Sequence, residues 1–337
     1  MTGRTAFFGE LLLRLTAPGR ELLLQSGRLD VHVGGAEANV AVGLARLGHA
    51  TRMVSVVPEN PLGDVAVTFL RGHGVDCTHV VRGEGRMGLY FLTPGAGLRA
   101  SEIVYDRSYS AFAMADVDRF DWPALLEGCD RLHLSGITPA LGPVMAEAAI
   151  RAAEAARAMG LSVSFDGNYR ARLWEAWDSD PRAVLTRLVG LADILFGNHR
   201  DIALLLDKPF HGDGPERRRE AAEAAFAAFP NLKLIASTAR QVVDADHNRI
   251  AARIDTPAGA HQTAEVTVTG IVDRIGAGDA FAAGVLHGLA DSGGDMDQAV
   301  RTGLALTCLK HSLPGDASLF GRADIDAFLS GEMDVRR

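Results

Sequence analysis

The sequence DRIGAGDAFAAG, residues 273–284, places two glycines and an aspartate at the start of a helical pattern. Gly276 and Gly278 allow the backbone to approach a ligand closely, and the first amides of a helix point their N–H groups at an anion. A carboxylate at Asp279 is expected to stay ionised among these dipoles and to accept a proton from a substrate hydroxyl. The turn therefore indicates phosphoryl transfer, with an ordinary helix start capped by Asp279 as the alternative.

The rest of the chain alternates short β-rich runs with helical patterns from the first residues to about Ser312. Alternation of this kind predicts a parallel sheet covered by helices, and therefore an α/β fold. Alanine-rich helices are predicted over Met145–Met159 and Glu216–Phe229, each with a proline near its start. The predicted strands include Ala6–Phe8, Met53–Val57, Leu132–Leu134, Val163–Phe165, Ile194–Phe196 and Leu232–Ala236.

Two segments, about residues 11–33 and 86–110, interrupt the alternation. In the second segment, Leu89–Leu92 and Ile103–Tyr105 have strand patterns with no helix between them. These segments predict a small β-sheet lid beside the main sheet. We predict that residues 1–337 form a single domain, because no linker or repeat divides them.

Composition favours a folded protein that acts on a small molecule. Of 337 residues, 47% are hydrophobic, and 34 Lys+Arg against 42 Asp+Glu give 34 − 42 = −8. This charge argues against nucleic acid or an anionic membrane as the partner. Cys77, Cys129 and Cys308 are too far apart for a disulfide framework or a metal cluster, which suits a reducing cytoplasm. No apolar run approaches the ~20 residues of a membrane-spanning helix.

A second glycine cluster precedes another predicted helix. Gly34 and Gly35 come before a helix whose apolar face leaves Asn39 in the first turn, where its amide can reach a polyol. The two clusters together resemble the two signatures of the ribokinase-like (PfkB) carbohydrate kinase family. The resemblance spans nearly the whole chain, since the Pro61–Asp64 turn and Asp166–Arg170 also fit in content and order.

This resemblance implies a ribokinase-like α/β fold and ATP-dependent phosphorylation of a carbohydrate, with Mg²⁺ as a cofactor. Asp279 would be the base, and the turn of Gly276, Ala277 and Gly278 would form the anion hole. The resemblance also implies a cytoplasmic homo-oligomer and allows a monovalent cation.

Further stretches are similar to the 2-keto-3-deoxygluconate kinases within that family. They include Gly34–Glu37, Gly88–Tyr90, Tyr105–Arg107, Leu134–Leu141 and Asn168–Trp174. By this resemblance, the substrate is a 2-keto-3-deoxy sugar acid, which is phosphorylated on its primary hydroxyl as part of Entner–Doudoroff metabolism.

The substrate residues implied by this resemblance divide into two groups. Arg107 and Arg170 would bind the acid and keto end, since a guanidinium can hold a carboxylate bidentately. The remaining substrate contacts would come from Gly34, Gly35, Asn39, Tyr90 and Tyr105. Surface ion pairs are the alternative for both arginines. Phosphorylation of another sugar, such as a ketohexose, and a catalytically silent sugar- or nucleotide-binding protein are the alternative functions.

The sequence also departs from the family pattern at the metal-linked positions. Asp273-Arg274 stands where many members have Asp-Thr, and the usual Asn-x-x-Glu is replaced by a segment from Asn198 to Asp201. We predict that Asn198 and Asp201 bind Mg²⁺ through water, because Mg²⁺ usually keeps several waters. The alternative is that both residues cap the helix 200–206.

The nucleotide loop departs as well, because the usual Lys/Thr-x-Gly is replaced by Ala236–Arg240. Ser237, Thr238 and Arg240 are predicted to contact ATP in place of the missing glycine. Lys310 lies in a late segment that resembles the border of the adenine site in related kinases. The alternative for Lys310 is a cation at a helix C-terminus.

Overall fold

The computed structural model of the protein describes residues 3–212 and 214–332. In chain order the strands are β1 Arg4–Phe8, β2 Leu12–Thr16, β3 Asp30–Gly34, β4 Thr51–Pro58, β5 Asp76–Gly83, β6 Gly88–Thr93, β7 Glu102–Asp106, β8 Cys129–Ser135, β9 Ser162–Asp166, β10 Ile194–Phe196, β11 Leu234–Val242, β12 His247–Thr256, β13 Gly259–Gln262 and β14 Val266–Thr269. The helices are α1 Ala36–Arg46, α2 Pro61–Gly72, α3 Trp122–Leu125, α4 Ile137–Ala140, α5 Pro143–Ala158, α6 Ala171–Trp174, α7 Pro181–Val189, α8 His199–Leu206, α9 Pro215–Ala228, α10 Ala277–Asp291, α11 Met296–Lys310 and α12 Arg322–Ser330.

The main sheet has the order β13-β12-β11-β10-β9-β8-β1-β4-β5, with β14 also paired to β12. The strands from β11 to β5 along this order pair in parallel, and β12 adds antiparallel pairing at one edge. The direction of the strand order reverses at β1. From β1 the chain runs outward to β4 and β5 on one side and to β8, β9, β10 and β11 on the other. In open α/β sheets, ligands bind beyond the carboxyl ends of the strands at such a reversal.

Helices cover both faces of this sheet, as the alternation of patterns predicted. Successive strand residues point to opposite faces, so Phe7 joins one apolar cluster with α1, α10 and α11, whereas Phe8 joins the other with α5 and α7. The two predicted alanine-rich helices are confirmed, and Pro143 and Pro215 occupy their first turns. Within the described residues, no helix combines the length and apolar character needed to cross a membrane.

The two segments that interrupt the alternation form a separate four-stranded sheet with the order β3-β2-β6-β7. Its formation confirms the predicted small sheet. The strand β2 follows β1 after three residues, so the small sheet is attached at the point where the main sheet reverses its order. The small sheet therefore stands beside the carboxyl ends of the main strands.

The helix α10 that follows the glycine-rich turn is held by close helix contacts. A Cβ on Gly284 would lie 2.8 Å from the backbone of Gly303 in α11, and one on Gly43 in α1 would lie 2.9 Å from Ala283. These glycines permit the helices to approach one another more closely than larger side chains allow. The packing fixes the position of the first turn of α10.

Candidate active site

The predicted site residues meet at the carboxyl ends of the central parallel strands. Asp166 ends β9, Asn198 follows β10, and Ser237 lies within β11, so three neighbouring strands contribute to one edge. The first turn of α10 faces the same cavities, because Gly278 lines both of the spaces that contain Asn198 and Ser237. The topology thus brings distant sequence motifs together.

The two glycines of the turn have different structural roles. Gly276 has a φ of 77°, and a Cβ on it would lie 1.7 Å from the carbonyl oxygen of Asp316. A Cβ on Gly278 would meet no atom within 4 Å. The left-handed conformation at Gly276 turns the chain into α10, and Gly278 leaves the cavity side of the helix open.

Asp279 lies in the first turn of α10 and contacts α1. Its Oδ2 accepts a hydrogen bond of 2.7 Å from Nδ2 of Asn39, a residue that the second glycine cluster carries. Burial raises the pKa of Asp279 to about 7, an effect that Asn39 opposes and the nearby charges of Asp316 and Glu37 reinforce. The sequence predicts that helix dipoles keep Asp279 ionised, and burial acts against them because removal of water disfavours the charged carboxylate.

The paired glycines allow α1 to begin against the main sheet. Gly35 has a φ of 139°, and a Cβ on it would lie 2.3 Å from the carbonyl oxygen of Glu10. Two residues later, Glu37 is buried, and its Oε1 accepts hydrogen bonds from Ser135 N, Ser135 Oγ and Thr138 Oγ1 at 3.1, 2.7 and 3.0 Å. Glu37 therefore ties α1, and with it Asn39, to the end of β8.

Arg170 lies beyond the end of β9 and is exposed. Its Nη1 donates to the carbonyl of Tyr169 at 3.1 Å, and no carboxylate in the described part of the chain forms an ion pair with it. Burial raises the pKa values of Asp166, Asp201 and Asp279, and the positive charge of Arg170 partly offsets this rise. The guanidinium is available to an anionic ligand beside these carboxylates.

Asn198 and Asp201 form a capping box at the start of α8. Asn198 Oδ1 accepts from Arg200 N at 2.9 Å, and Asp201 Oδ2 accepts from Asn198 N at 2.7 Å. The capping alternative is therefore present in the structure. Each side chain uses one oxygen in the cap, which leaves the second carboxylate oxygen of Asp201 for another partner.

The chemistry of this corner fits Mg²⁺. Burial and the neighbouring charges of Asp279 and Asp201 raise the pKa of Asp166 well above its usual range, so these crowded carboxyl groups would be ionised more readily with a cation between them. Among residues 3–212 and 214–332, no three His, Cys, Asp or Glu side chains form a metal cage. Mg²⁺ is commonly held by one or two carboxylates together with substrate phosphates and water, and Asp166, Asn198 and Asp201 can supply such oxygens.

A cavity of about 540 Å³ lies between α8, β11 and the start of α10. Ser237, Thr238 and Arg240 line it together with Gly278, so the structure brings the predicted nucleotide residues to the glycine-rich turn. Lys310 is placed differently, because it is 0% exposed and its Nζ donates to the carbonyl of Leu313 at 2.9 Å. This burial does not support the predicted contact of Lys310 with a nucleotide, and its position at the end of α11 matches the helix-terminus alternative.

One face of the small sheet is directed at the site. His32, Arg14, Tyr90 and Tyr105 stand in register on four successive strands and therefore share this face. The hydroxyl of Tyr90 donates to Asp316 Oδ2 at 2.5 Å inside the protein, whereas Tyr105 is exposed. Of the two tyrosines, Tyr105 is therefore the one that solvent reaches.

Arg107 is buried in an ion pair with Glu10, rather than in a surface pair. Its Nε donates to Glu10 Oε2 at 2.8 Å, and its guanidinium lies 5.9 Å from the ring centroid of Tyr105. This pairing does not support direct binding of a substrate acid by Arg107, because Glu10 already neutralises its charge. Arg107 instead orders the end of the small sheet.

Sequence reasoning missed several charged residues around the site. Arg14 donates to Asp273 Oδ2 at 2.6 Å and forms an ion pair with Asp316 at 3.2 Å, and all three are secluded from solvent. The available signal for Arg14 was a cation within the apolar run Leu11–Leu15. Glu37 and Asp166 lay inside recognised motifs, but nothing in those motifs indicated their contacts.

Comparison with known proteins places these features in context. Residues 4–319 match the family described as pfkB family carbohydrate kinase. The 2-dehydro-3-deoxygalactonokinase of Haloferax volcanii is 30% identical over 331 residues, which are 98% of each chain. The 2-dehydro-3-deoxygluconokinase of Bacillus subtilis is 28% identical over 333 residues, which cover 98% of this chain and 96% of that relative.

A solved structure shares both fold and sequence with this chain. The crystal structure of 2-dehydro-3-deoxygluconokinase from Thermotoga maritima superposes with a TM-score of 0.92 at 37% identity. The similarity covers 98% of this chain and 100% of that one. The α/β architecture with its additional small sheet is therefore common to the two proteins.

Proposed function

The chain belongs to the pfkB family of carbohydrate kinases, and from this premise we propose that it phosphorylates 2-keto-3-deoxygluconate (2-dehydro-3-deoxygluconate) with ATP to give the 6-phosphate. The relatives named 2-dehydro-3-deoxygluconokinase, at up to 37% identity, support this reaction. The observation that carries the choice of an acidic sugar is Arg170, an exposed guanidinium without a carboxylate ion pair in the described residues. A substrate carboxylate would supply the missing anion.

Asp279 would accept the proton of the 6-hydroxyl group of the sugar acid while the oxygen of that hydroxyl attacks the γ-phosphorus of ATP. Asn39 fixes Oδ2 of this carboxylate, which leaves Oδ1 to face the hydroxyl. The bond from the γ-phosphorus to the bridging oxygen breaks, and ADP leaves. Because a general base works best with a pKa near the working pH, the raised pKa of Asp279, about 7, suits this task.

The amides at Gly276, Ala277 and Gly278 would stabilise the transferred phosphoryl group. They begin a helix, where N–H groups favour an anion. The N–H of Ala277 also donates to the carbonyl of Arg274 at 3.3 Å, a long bond that a phosphate oxygen would share or replace. Gly278 has no side chain to obstruct the phosphates, and the neighbouring cavity of about 540 Å³ has room for a nucleotide. Ser237, Thr238 and Arg240 would contact ATP there.

Asp166, Asn198 and Asp201 would hold Mg²⁺, partly through water. When bound, this ion would neutralise charge on the nucleotide phosphates. The chain's own contribution is the oxygen-rich corner, which the cap of α8 keeps in position. The resemblance also allows a monovalent cation.

The names of the relatives point to two epimeric substrates. One relative is named for 2-dehydro-3-deoxygalactonate, and the others are named for 2-dehydro-3-deoxygluconate. The two acids share the carboxylate and the primary hydroxyl, so Arg170 and Asp279 would serve either of them. We place deoxygluconate first, since the relative with the higher identity carries that name.

The direct test is ADP release with ATP, Mg²⁺ and a panel of sugars and sugar acids. We expect the 2-keto-3-deoxy acids to be phosphorylated with kcat/KM values well above those of fructose and other ketohexoses. An Asp279→Asn preparation controls for contaminating kinases. Preference for a ketohexose would reject the sugar-acid assignment, and binding without ADP release from any sugar would indicate a silent binding protein.

A cytoplasmic homo-oligomer is also part of this proposal. The outer face of the small sheet carries an apolar row in register across four strands, namely Val31, Leu15, Phe91 and Val104. Val31 and Val104 are 54% and 48% exposed, and a second copy of the chain would cover them. The buried free thiols of Cys77, Cys129 and Cys308 suit a reducing cytoplasm, where ATP is available.

A further inference from the structure

Lys310 is an ammonium in an unusual place. It is the last residue of α11, is 0% exposed, and lies below the glycine-rich turn rather than in the nucleotide cavity. Its Nζ donates to the main-chain carbonyl of Leu313 at 2.9 Å and lies 3.5 Å from that of Asp273. Lysine is almost never fully buried unless its charge is used, so this arrangement requires an explanation.

The two carbonyls belong to two segments that together build the turn. Asp273 begins the segment that leads to Gly276, and Leu313 begins the loop that reaches Asp316. The segments contact each other directly, because Val272 N donates to His311 O at 2.8 Å and Gly315 N donates to Asp273 Oδ2 at 3.1 Å. The carbonyl of Asp316 packs against Gly276, so a shift of this loop would displace the turn.

The charges beneath the turn balance only with Lys310. Arg14 bonds to Asp273 and pairs with Asp316. Lys310 is a second cation close enough for the charges of both carboxylates to act on it, against the burial that lowers its pKa. Without the ammonium, this buried cluster would carry a net negative charge of one. That charge would stand under the amides that must receive phosphates, and it would oppose the binding of an anion.

We propose that the ammonium of Lys310 is a built-in monovalent cation, which holds the two segments together and keeps the anion-binding turn in shape. A small cation held by main-chain carbonyls would perform the same task, but the chain supplies its own. Lys310 is therefore a positioning residue for the nucleotide phosphates. The inference rests on the proposed use of ATP, but it does not depend on which sugar is the substrate.

The test measures ATP affinity by calorimetric titration, a readout that needs no sugar. Lys310→Met keeps the length of the side chain and removes the charge, and it should weaken ATP binding by about tenfold or more. The matched control is Lys233→Met, since the exposed ammonium of Lys233 also pairs with a buried group, the carboxylate of Asp193, outside the turn. The control should bind ATP as the wild type does, and circular dichroism should show both variants folded.

Chemical rescue separates a positioning cation from a structural side chain. In Lys310→Ala, propylammonium should restore part of the lost ATP affinity, because it can enter the space of the deleted side chain. Tetramethylammonium at equal ionic strength should not, because it is too bulky and has no N–H donor. Equal ATP affinity of Lys310→Met and the wild type would overturn the proposal. A loss of ATP affinity in Lys310→Ala that neither propylammonium nor K⁺ reduces would also overturn it.

The wild-type protein provides a test that does not depend on a variant folding. If Lys310 supplies the cation, ATP affinity should agree within about twofold between KCl and tetramethylammonium chloride at equal ionic strength. Much tighter binding in KCl would overturn the proposal, because it would show that an external cation is required. Failure of the proposed function has a different signature, namely ATP binding with the predicted salt behaviour but no turnover of a sugar acid.

Discussion

Asp279, the proposed base, is partly buried and is held in place by a hydrogen bond. Burial raises its pKa to about 7, and the hydrogen bond from Asn39 partly opposes that shift. A carboxylate with a pKa near neutrality binds a proton readily while remaining available in its ionised form. The surroundings of the turn, rather than the helix dipole alone, therefore set its reactivity.

Asp279→Asn should abolish most turnover and preserve sugar binding. The amide has nearly the same shape but cannot accept the hydroxyl proton, so kcat should fall by about 10²-fold or more. Steady-state kinetics with the sugar acid, alongside calorimetric titration of the sugar, measure the two effects. A variant with nearly normal kcat would contradict the assignment of Asp279 as base.

The pH dependence follows from the direction of the same shift. Since the base must be deprotonated, kcat/KM should fall as the pH drops through about 7.

The stability of the protein should depend on pH for the same reason. A carboxylate whose pKa is raised on folding binds protons more tightly in the folded state, so its contribution to stability is present at low pH and is lost as pH rises towards 7. Asp279→Asn should therefore have a higher Tm than the wild type at pH ~8, with a smaller difference near pH ~4. Rate profiles and thermal scans over this range provide the check, and a pH-independent kcat/KM would contradict it.

At the scale of elements, the first turn of α10 depends on glycines for two separate reasons. Gly276 needs a left-handed conformation and space for the carbonyl of Asp316, whereas Gly278 has an open side towards the cavities. The sequence alone marked both residues as positions of close approach. Only the structure distinguishes the one that shapes the turn from the one that faces the ligand.

Gly276→Ala and Gly278→Val should therefore fail in different ways. Gly276→Ala combines an unfavourable φ with a steric overlap and should lower the free energy of unfolding by more than about 1 kcal/mol. Gly278→Val should leave Tm nearly unchanged but weaken ATP binding, because its side chain enters the cavity. Denaturant titration and ATP calorimetry on both variants test this, and full ATP affinity in Gly278→Val would place the phosphates elsewhere.

The elements themselves were largely predictable because their signals are local. Alanine-rich composition and prolines near the starts located α5 and α9, and β-rich runs located the parallel strands. Long-range pairing of charges was less accessible, as Arg107 illustrates. Its motif suggested a substrate contact, but the partner Glu10 lies 97 residues away and no periodicity reveals it.

At the scale of the whole molecule, the small sheet has two faces with different chemistry. Its inner face carries Arg14, Tyr90 and Tyr105 towards the site, and its outer face carries the apolar row that includes Val31 and Val104. A strand alternates its side chains between faces, so one segment can serve both a site and an interface.

Glutamates placed together at Val31 and Val104 should convert an oligomer into monomers, because charges in an apolar interface lose their hydration. Val144→Glu is the control, since Val144 is 41% exposed on α5 and lies outside the small sheet. Sedimentation velocity compares the wild type, the double variant and Val144→Glu at the same concentration. A monomeric wild type, or a double variant that assembles normally, would contradict an interface at this sheet.

The central claim is that this kinase recognises a sugar acid through Arg170. The most direct measurement compares 2-keto-3-deoxygluconate with 3-deoxyfructose, in which a hydroxymethyl group replaces the carboxylate, in the wild type and in Arg170→Lys, Arg170→Ala and Arg172→Ala. A hydrogen bond to a charged group contributes about 1.5–3 kcal/mol, so Arg170→Ala should raise the KM for the acid by about tenfold or more. Arg170→Lys should have a smaller effect because it keeps the charge but loses the planar fork.

The exposed Arg172→Ala control should match the wild type, and KM for the neutral sugar should change little in any variant. Equal losses for the acid and the neutral sugar would contradict the claim, because Arg170 would then support the fold rather than the substrate carboxylate.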